Sequence, residues 1–331
     1  MEFSLDNDQL ALAEVAGTLL QKHSSPERIR AAEPAGFDER LWQALVELGL
    51  PGIAVGDDAA STVDLVVLAE AAGRALATVP YAESIVAAVL LHGRHTIADA
   101  VAFGAQIAVF SPQVARHGLA RLVPGASAAS VAVVFDGERL LLADCAAVQR
   151  PAASLASLAL ADVPLAGAEV LAEGADAAAL YVQGMSLWRC LTAGIQVGIG
   201  AASLDIGVDY VKTRFQFGVP IGSFQAVQHR LADVAVAVDG ARLLTYEAAA
   251  ALDAGDERGN QLALMAYLFG SETAVDTSGA SLHFHGGYGY MMEYDIQLYF
   301  RRAKALQLLA GDPDAVLDDL SGALFDESGT R

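Results

Sequence analysis

Long stretches of helical apolar periodicity in the second half of the chain constrain its fold most strongly. These stretches have apolar residues at positions i, i+3, i+4 and i+7, and they cover 176–214, 224–253 and 260–284, followed by a shorter one around Ile296. Asp312 and Pro313 then supply the cap and first-turn proline of a last helix. Consecutive amphipathic helices with short connections predict an antiparallel bundle over 173–331.

The first hundred residues also favour helices. Asp6 or Asn7 is placed to cap the first helix, and further helices are expected over 37–48, 63–77 and 81–92. Glycine and proline separate these segments, because neither residue continues a helix well. We therefore expect an N-terminal helical domain over residues 1–102.

The segment 103–172 has a different pattern, with short runs rich in β-forming residues. The expected strands cover 106–110, 131–135, 138–143 and 158–163. Asp136-Gly137 lies between two of them and predicts a hairpin with a type I′ turn, since this pair accepts positive φ angles. The predicted fold is thus mainly α with a small β domain, in the order helical domain 1–102, reduced barrel-like β domain 103–172 and four-helix bundle 173–331.

The charge of the chain limits its partners. It has 331 residues with 20 basic and 40 acidic side chains, a net charge of −20. Such a field repels phosphate backbones and anionic lipid surfaces, so neither nucleic acid nor a membrane is an expected partner. The longest charge-free run in the helical half, 190–204, is shorter than the roughly 20 residues of a membrane span. Cys145 and Cys190 match no metal-ligand spacing, so buried reduced thiols and a cytoplasmic location are expected.

The connection at residues 210–233 is the first candidate for a binding site. Pro220 ends a helix, which places Arg214 near the helix C-terminus, while Gln225 begins the next helix. A cation beside the free N–H groups of a helix N-terminus is suited to a pyrophosphate. Arg214 is equally explained as a charge that complements the helix dipole.

The second candidate is the segment 283–290, which has three glycines within four residues. Gly286, Gly287 and Gly289 permit positive φ angles or a close backbone approach, and three of them exceed the needs of a simple turn. His283 and His285 flank this segment without further metal ligands nearby, so we expect them to form hydrogen bonds instead.

Together these motifs resemble the acyl-CoA dehydrogenase family. The resemblance rests on Arg-x-Gln-Phe-Gly-x-Pro-Ile-x-x-Phe-Gln-x-x-Gln-His-x-Leu-Ala-Asp, which runs from Arg214 to Asp233, on His-Gly-Gly-Tyr-Gly-Tyr up to Tyr290, and on Glu293-Tyr294. The opening Met-Glu-Phe-Ser-Leu and the helix–β–helix order also match the family. The resemblance implies FAD, an acyl-CoA substrate, oxidation of its Cα–Cβ bond and an electron-transfer acceptor.

The resemblance also implies roles for single residues. Arg214 and Gln225 match positions that reach FAD bound mainly by a neighbouring subunit, and His283 stands where the family usually has glutamine. The implied FAD-binding residues are Arg214, Gln216, Phe217, Gln225, His283, Gly286 and Gly287.

The chain departs from the family where the catalytic base belongs. The usual glutamate follows the glycine corner by about one helix, and that position is Ala310. Some members place the glutamate before an arginine on the long helix, and that position is Trp188. Neither side chain accepts a proton. The β domain also lacks a Thr-Glu-Pro-x-x-Gly-Ser-Asp segment, which supports the flavin ring in the family, and the chain is short for a member.

These departures predict a chain that keeps the residues serving a neighbour's FAD and lacks those serving its own. Such a chain resembles the non-catalytic subunit of a heteromeric (α2β2) acyl-CoA dehydrogenase of the actinobacterial steroid type, paired with a full-length catalytic subunit that binds the acyl-CoA. Two other interpretations remain open. One is a self-sufficient enzyme with a displaced base, Asp312 or Glu293; the other is a flavin-free scaffold on the same fold.

Overall fold

The computed structural model describes residues 5–146, 148 and 152–325. The first four residues of the opening segment used above therefore lie outside the described ranges. The predicted fold class is confirmed: the chain is mainly helical with a small β region between two helical regions.

Among the described residues, the N-terminal region contains six α-helices. They are α1 (Asn7–His23), α2 (Pro26–Ala32), α3 (Glu39–Glu47), α4 (Thr62–Arg74), α5 (Tyr81–Leu91) and α6 (Ala98–Ala102). Asp6 caps α1: its carboxylate accepts the N–H of Gln9, and the Gln9 side chain accepts the N–H of Asp6 in return. Helix α5 is buried almost throughout, which explains its mostly apolar sequence, with Glu83 and Ser84 as buried polar exceptions.

The β region consists of β1 (Ala108–Phe110), β2 (Leu119–Pro124), β3 (Val131–Phe135), β4 (Arg139–Asp144), β5 (Leu160–Pro164) and β6 (Glu169–Glu173). One sheet has the order β1-β3-β4-β6, and β2 pairs with β5 in a second, two-stranded sheet. Strands β2 and β6 were not expected from the sequence. In both, charged residues interrupt the apolar alternation that marks a strand.

The predicted hairpin between β3 and β4 forms, but its turn is not type I′. The Asp136 N–H donates to the Arg139 carbonyl over 3.0 Å, so Gly137 and Glu138 occupy the two central positions. Only Gly137 has a positive φ, +100°, which is the pattern of a type II′ turn. The Asp136 carboxylate accepts the N–H groups of Glu138 and Arg139, and this holds Asp136 outside the turn centre.

Up to residue 325, where the described range ends, the C-terminal bundle contains five α-helices: α7 (Gly174–Thr213), α8 (Gln225–Asp253), α9 (Gly259–His285), α10 (Ile296–Leu308) and α11 (Pro313–Phe325). Helix α7 packs against α4, α8, α9 and α10 and forms the spine of the molecule. It is long and apolar enough to cross a membrane, but 72% of its most apolar window is buried inside the protein. Its apolarity is therefore explained by the core.

Cys145 and Cys190 are free and buried, as expected.

Candidate functional site: two corners at the ends of the long helices

The first corner lies between α7 and α8 and contains a small hairpin. Strands β7 (Phe215–Gln216) and β8 (Val219–Pro220) pair antiparallel across Phe217 and Gly218. Both central residues have positive φ, +53° and +81°, the sign pattern of a type I′ turn. The turn leaves the Phe217 side chain 94% exposed. An apolar ring held outward by a strained backbone is suited to contact with another molecule.

Helix α8 begins at Gln225 without a side-chain cap. Gln228 lies in the first turn of α8, and its side chain donates to the Gly222 carbonyl over 2.9 Å. This hydrogen bond holds in place the 3₁₀ turn at Ile221–Ser223 that precedes the helix. The backbone N–H groups that open the helix are thus oriented but not capped, and the positive end of the helix dipole favours an anion there.

The second corner follows α9, and its three glycines have different structural roles. Gly286 has φ +60° and ends the helix. A Cβ on Gly289 would lie 2.6 Å from the Leu282 carbonyl oxygen, so close packing requires glycine there. Gly287 is exposed, has no positive φ and has no atom within 4 Å of a built Cβ. Of the three, Gly287 is the glycine that the fold itself does not require, which is consistent with a ligand approaching its backbone.

The two corners contact each other through aromatic rings. The Tyr210 ring stacks on His285 with centroids 3.8 Å apart, and the Tyr294 ring meets His285 edge-on at 5.6 Å. The Arg214 guanidinium lies 6.0 Å from the Tyr288 ring centroid, a cation–π contact between the corners. The sequence motifs at 210–233 and 283–290 therefore belong to one surface.

His285 is a structural member of this surface. Its Nδ1 lies 2.7 Å from the Ser281 carbonyl, which only accepts, so Nδ1 carries the proton. Burial lowers the pKa of His285 below its ordinary value, and the bond to Ser281 opposes this in part. The expectation that His285 forms hydrogen bonds is confirmed.

The predicted FAD-binding side chains are exposed. Within the described ranges, the side chains of Arg214, Gln216, Gln225 and His283 have neither a hydrogen bond nor an ion pair. The structure brings Arg214 to the glycine corner through Tyr288, whereas no such contact joins Gln216, Gln225 or His283 to that pair. An unpaired guanidinium, an uncapped helix N-terminus and an open glycine backbone are suited to the pyrophosphate and adjoining parts of a dinucleotide. FAD therefore fits this surface.

The two positions at which the family resemblance implies a base, Trp188 and Ala310, both contact Tyr267. Trp188 is fully buried, and its indole N–H donates to Glu83 over 2.9 Å. Its ring lies 5.5 Å from the Tyr267 ring, and the Tyr267 hydroxyl accepts the N–H of Ala310 at 3.4 Å. The two sequence-derived positions thus converge on Tyr267, as alternative locations of one base require. Neither residue present there accepts a proton.

Ala310 lines a cleft of about 590 Å³, and this cleft contains a carboxylate that the sequence analysis missed. That carboxylate is Asp319 on α11. The sequence could have indicated Asp319 by its position three residues after Val316, because residues i and i+3 lie on the same side of a helix. Val316 is buried, so Asp319 lies beside the buried face of α11. Asp312, one of the two expected candidates, instead accepts the N–H of Asp314 as the cap of α11. Glu293, the other, is exposed and does not line this cleft.

Comparison with known proteins agrees with these features. The family model "Acyl-CoA dehydrogenase, C-terminal domain" matches residues 178–324. The chain is 32% identical over 335 residues to acyl-CoA dehydrogenase IpdE2 of Mycolicibacterium smegmatis, covering 97% of this chain and 100% of the relative.

Two solved structures have the same fold along nearly the whole chain. A variant of the Tcur3481-Tcur3483 steroid acyl-CoA dehydrogenase superposes with a TM-score of 0.86 at 26% identity, covering 98% of this chain and 99% of that one. The ChsE4-ChsE5 complex from Mycobacterium tuberculosis superposes with a TM-score of 0.86 at 24% identity over 100% of both chains, which shows the fold.

Proposed function

This chain belongs to the acyl-CoA dehydrogenase family, and we propose that within it the chain is the FAD-sharing, non-catalytic subunit of a heteromeric, α2β2 enzyme. The assembly acts in the cytoplasm on the Cα–Cβ bond of an acyl-CoA thioester bound by a full-length catalytic partner. A thioester of a steroid side chain is the substrate class we favour, since one similar structure, at 26% identity, is named as a steroid acyl-CoA dehydrogenase.

One observation carries the proposal. Trp188 and Ala310 occupy the two convergent base positions, while Arg214 and Gln225 at the corners stay exposed and unpaired. A chain that had lost FAD altogether would not require a cation and an uncapped helix end to remain open. The combination fits a subunit that binds part of a cofactor without performing the proton transfer.

Each corner residue has a defined part in this proposal. FAD, when bound, supplies the acceptor for the hydride that leaves Cβ of the thioester. Arg214 and the N-terminus of α8 hold negative charge on the pyrophosphate, and Gln225 and His283 donate hydrogen bonds. Gly287 lets the cofactor approach the backbone, with Gln216 and Phe217 beside it. The proton-accepting carboxylate and the transfer of electrons to an acceptor belong to the partner subunit's site.

Exposed apolar side chains around the corners support the presence of a partner. They form a set on both corners, namely Phe215, Phe217, Tyr290, Met291 and Met292. Apolar side chains grouped in this way mark a protein interface more often than a free surface. The partner would cover this surface and the cofactor together.

Asp319 is the observation that favours a second candidate function, a self-sufficient enzyme with a displaced base. It lines the same cleft as Ala310, which neither Asp312 nor Glu293 does. Replacing Asp319 with Asn tests this candidate, because the amide keeps the shape and loses the basicity. Under our proposal, turnover by the purified heteromeric complex stays within about twofold of wild type. A loss of a hundredfold or more, typical of losing a general base, would favour the second candidate.

Arg214→Ala in the co-expressed complex tests the FAD clamp. A charge-assisted contact is worth roughly 1.5–3 kcal/mol, so FAD should bind about ten- to a hundredfold more weakly. Lys212→Ala is the matched control: it removes a positive charge two residues away, where Lys212 is exposed and only loosely paired with Asp209 at 3.8 Å. Equal FAD affinity in both variants and wild type would instead support a flavin-free scaffold role for this chain. The measurement is a titration of the flavin-stripped complex with FAD.

A further inference from the structure

A second site lies in the cleft beside Ala310, at the junction of the β region and the bundle. The cleft has a volume of about 590 Å³, within the range of small-molecule sites. Its walls come from the turn before β2, β2 itself, α7, the start of α9, and the segment from Ala310 into α11. Alanine stands at the implied base position in this lining, yet the fold keeps the space open.

Three arginines line this cleft: Arg116, Arg121 and Arg189. Within the described ranges none of the three has an ion pair or a side-chain hydrogen bond, although Asp319 acts on Arg189 through its charge. The Nε of Arg189 is buried without a partner, which is a costly state for a charged donor. Asp319 is the acidic side chain of the lining, so the cleft has three positive charges against one negative, a net of +2.

The positive charge of the cleft contrasts with the negative charge of the whole molecule. The chain has a net charge of −20, and most described arginines reach a carboxylate or a carbonyl. Three cations facing a single carboxylate in one concavity therefore form a local field opposite in sign to that of the whole protein. Such a concavity attracts anions and holds them against guanidinium groups.

The backbone of β2 contributes to this arrangement. Its pairing with β5 is interrupted between Ala120 and Val123, and Leu122 in the interruption has φ +49°. Irregularities of this kind redirect side chains near binding sites. Leu119 and Arg121, two residues apart on the strand, both line the cleft.

Of the rest of the lining, Gln113, Ser186 and Asn260 are polar, and each makes a hydrogen bond within the protein. The apolar members include Val114, Leu119, Tyr181, Met185 and Val316. A ligand that satisfies this lining has an apolar body and carries two negative charges. We propose that the cleft binds such an organic dianion, a dicarboxylate or an alkyl phosphate, as a non-redox ligand of this subunit.

The test is calorimetric titration of the full chain co-purified with its partner. The probes are octanedioate for the carboxylate source and hexyl phosphate for the phosphate source, with octane-1,8-diol as the neutral match. The variants change only this chain, so binding at the partner's own site is the same in every sample and cancels in the comparison. We expect binding of at least one dianion, none of the diol, and weakening by added salt.

The variants assign that binding to the cleft. Arg116→Gln and Arg121→Gln should each weaken the dianion by about three- to tenfold, since each removes one charged donor. Both side chains are exposed, so these variants should fold normally. Arg40→Gln is the matched control, because Arg40 is exposed, has no ion pair within the described ranges and does not line the cleft. Its affinity should be unchanged.

Asp319→Asn provides a test of opposite sign. Removing this carboxylate raises the net charge of the cleft from +2 to +3, so the dianion should bind more tightly by about two- to fivefold. Absence of dianion binding at millimolar concentration would overturn the proposal. Equal weakening by Arg40→Gln and Arg121→Gln, or weaker binding by Asp319→Asn, would also overturn it.

Discussion

At the scale of single residues, Trp188 and Glu83 form a buried hydrogen-bonded pair at one of the two positions where the family resemblance implies a base. Burial raises the pKa of Glu83, while the hydrogen bond from Trp188 opposes that rise. The carboxyl group faces an indole in the core. Glu83 is therefore a buried acid fixed to its neighbour, which explains how an indole is tolerated at this position.

Glu83→Gln should stabilise the protein at neutral pH. The folded-state pKa of Glu83 lies above its unfolded value of about 4.3. As pH rises beyond that value, the unfolded state releases a proton that the native state still retains, so the native state loses stability. The amide still accepts the Trp188 hydrogen bond and does not ionise. We expect a higher free energy of unfolding for the variant at pH 7 and no difference near pH 4. Urea denaturation followed by tryptophan fluorescence measures both, and a variant less stable than wild type at pH 7 would contradict this account.

The contribution of His285 to the free energy of unfolding changes with pH in the opposite direction, because it is lost as pH falls. Burial holds its folded-state pKa below the unfolded value of about 6.5, so the unfolded chain takes up the proton first as pH falls. This contribution to stability is complete above pH 6.5 and is lost as pH falls towards the folded-state pKa. His285→Phe keeps a ring against Tyr210 and removes the titration. Between pH 7 and 5.5, the free energy of unfolding should fall more steeply in wild type than in the variant; identical slopes would count against a buried neutral imidazole.

At the scale of elements, the sequence was most informative where the apolar period is long. The predicted helices at 176–214, 224–253 and 260–284 correspond closely to α7, α8 and α9. Many turns of consistent periodicity outweigh local exceptions, and proline and glycine fix the ends.

Short elements were harder to predict, for definite physical reasons. Helices α2 and α6 span only 7 and 5 residues, too few for a period to emerge. The type I′ turn was expected at Asp136-Gly137, but the structure has that sign pattern at Phe217-Gly218. A phenylalanine at positive φ contradicts residue preference, so tertiary context decides the conformation there.

The candidate site was predictable in part. The two corners were identified from residue patterns and a family resemblance, but their contact through Arg214 and Tyr288 depends on tertiary packing. The arginine-lined cleft is assembled from β2, α7 and α11, which lie far apart in the sequence. No local pattern marks Arg116, Arg121 and Arg189 as neighbours.

The glycine corner allows a matched test of structure against ligand binding. Gly289→Ala should lower the free energy of unfolding by about 1–3 kcal/mol, because its Cβ would press on the Leu282 carbonyl. Gly287→Leu should leave stability within about 0.5 kcal/mol of wild type, since the position is open, yet reduce FAD affinity in the complex. Thermal unfolding and FAD titration of both variants separate the two roles. Unchanged FAD affinity in Gly287→Leu would show that the cofactor does not approach this backbone.

At the scale of the whole molecule, the region around the implied base positions differs from the two corners. Trp188 is closed into the core against Glu83, whereas Ala310 lines an open cleft and the side chains of the two corners are exposed. The acidic exterior favours a partner with a complementary surface over nucleic acid or lipid. These features are what the proposed role of this chain, as one subunit of a two-subunit enzyme, requires.

The flavin content of that assembly tests the central claim most directly. The chain is co-expressed with its catalytic partner, the complex is purified to a defined subunit ratio, and FAD is released and quantified against protein. A subunit that only clamps its partner's cofactor predicts a single FAD for each pair of unlike subunits and a colourless preparation of this chain alone. Two FAD molecules per pair, or stable flavin on this chain alone, would contradict the account.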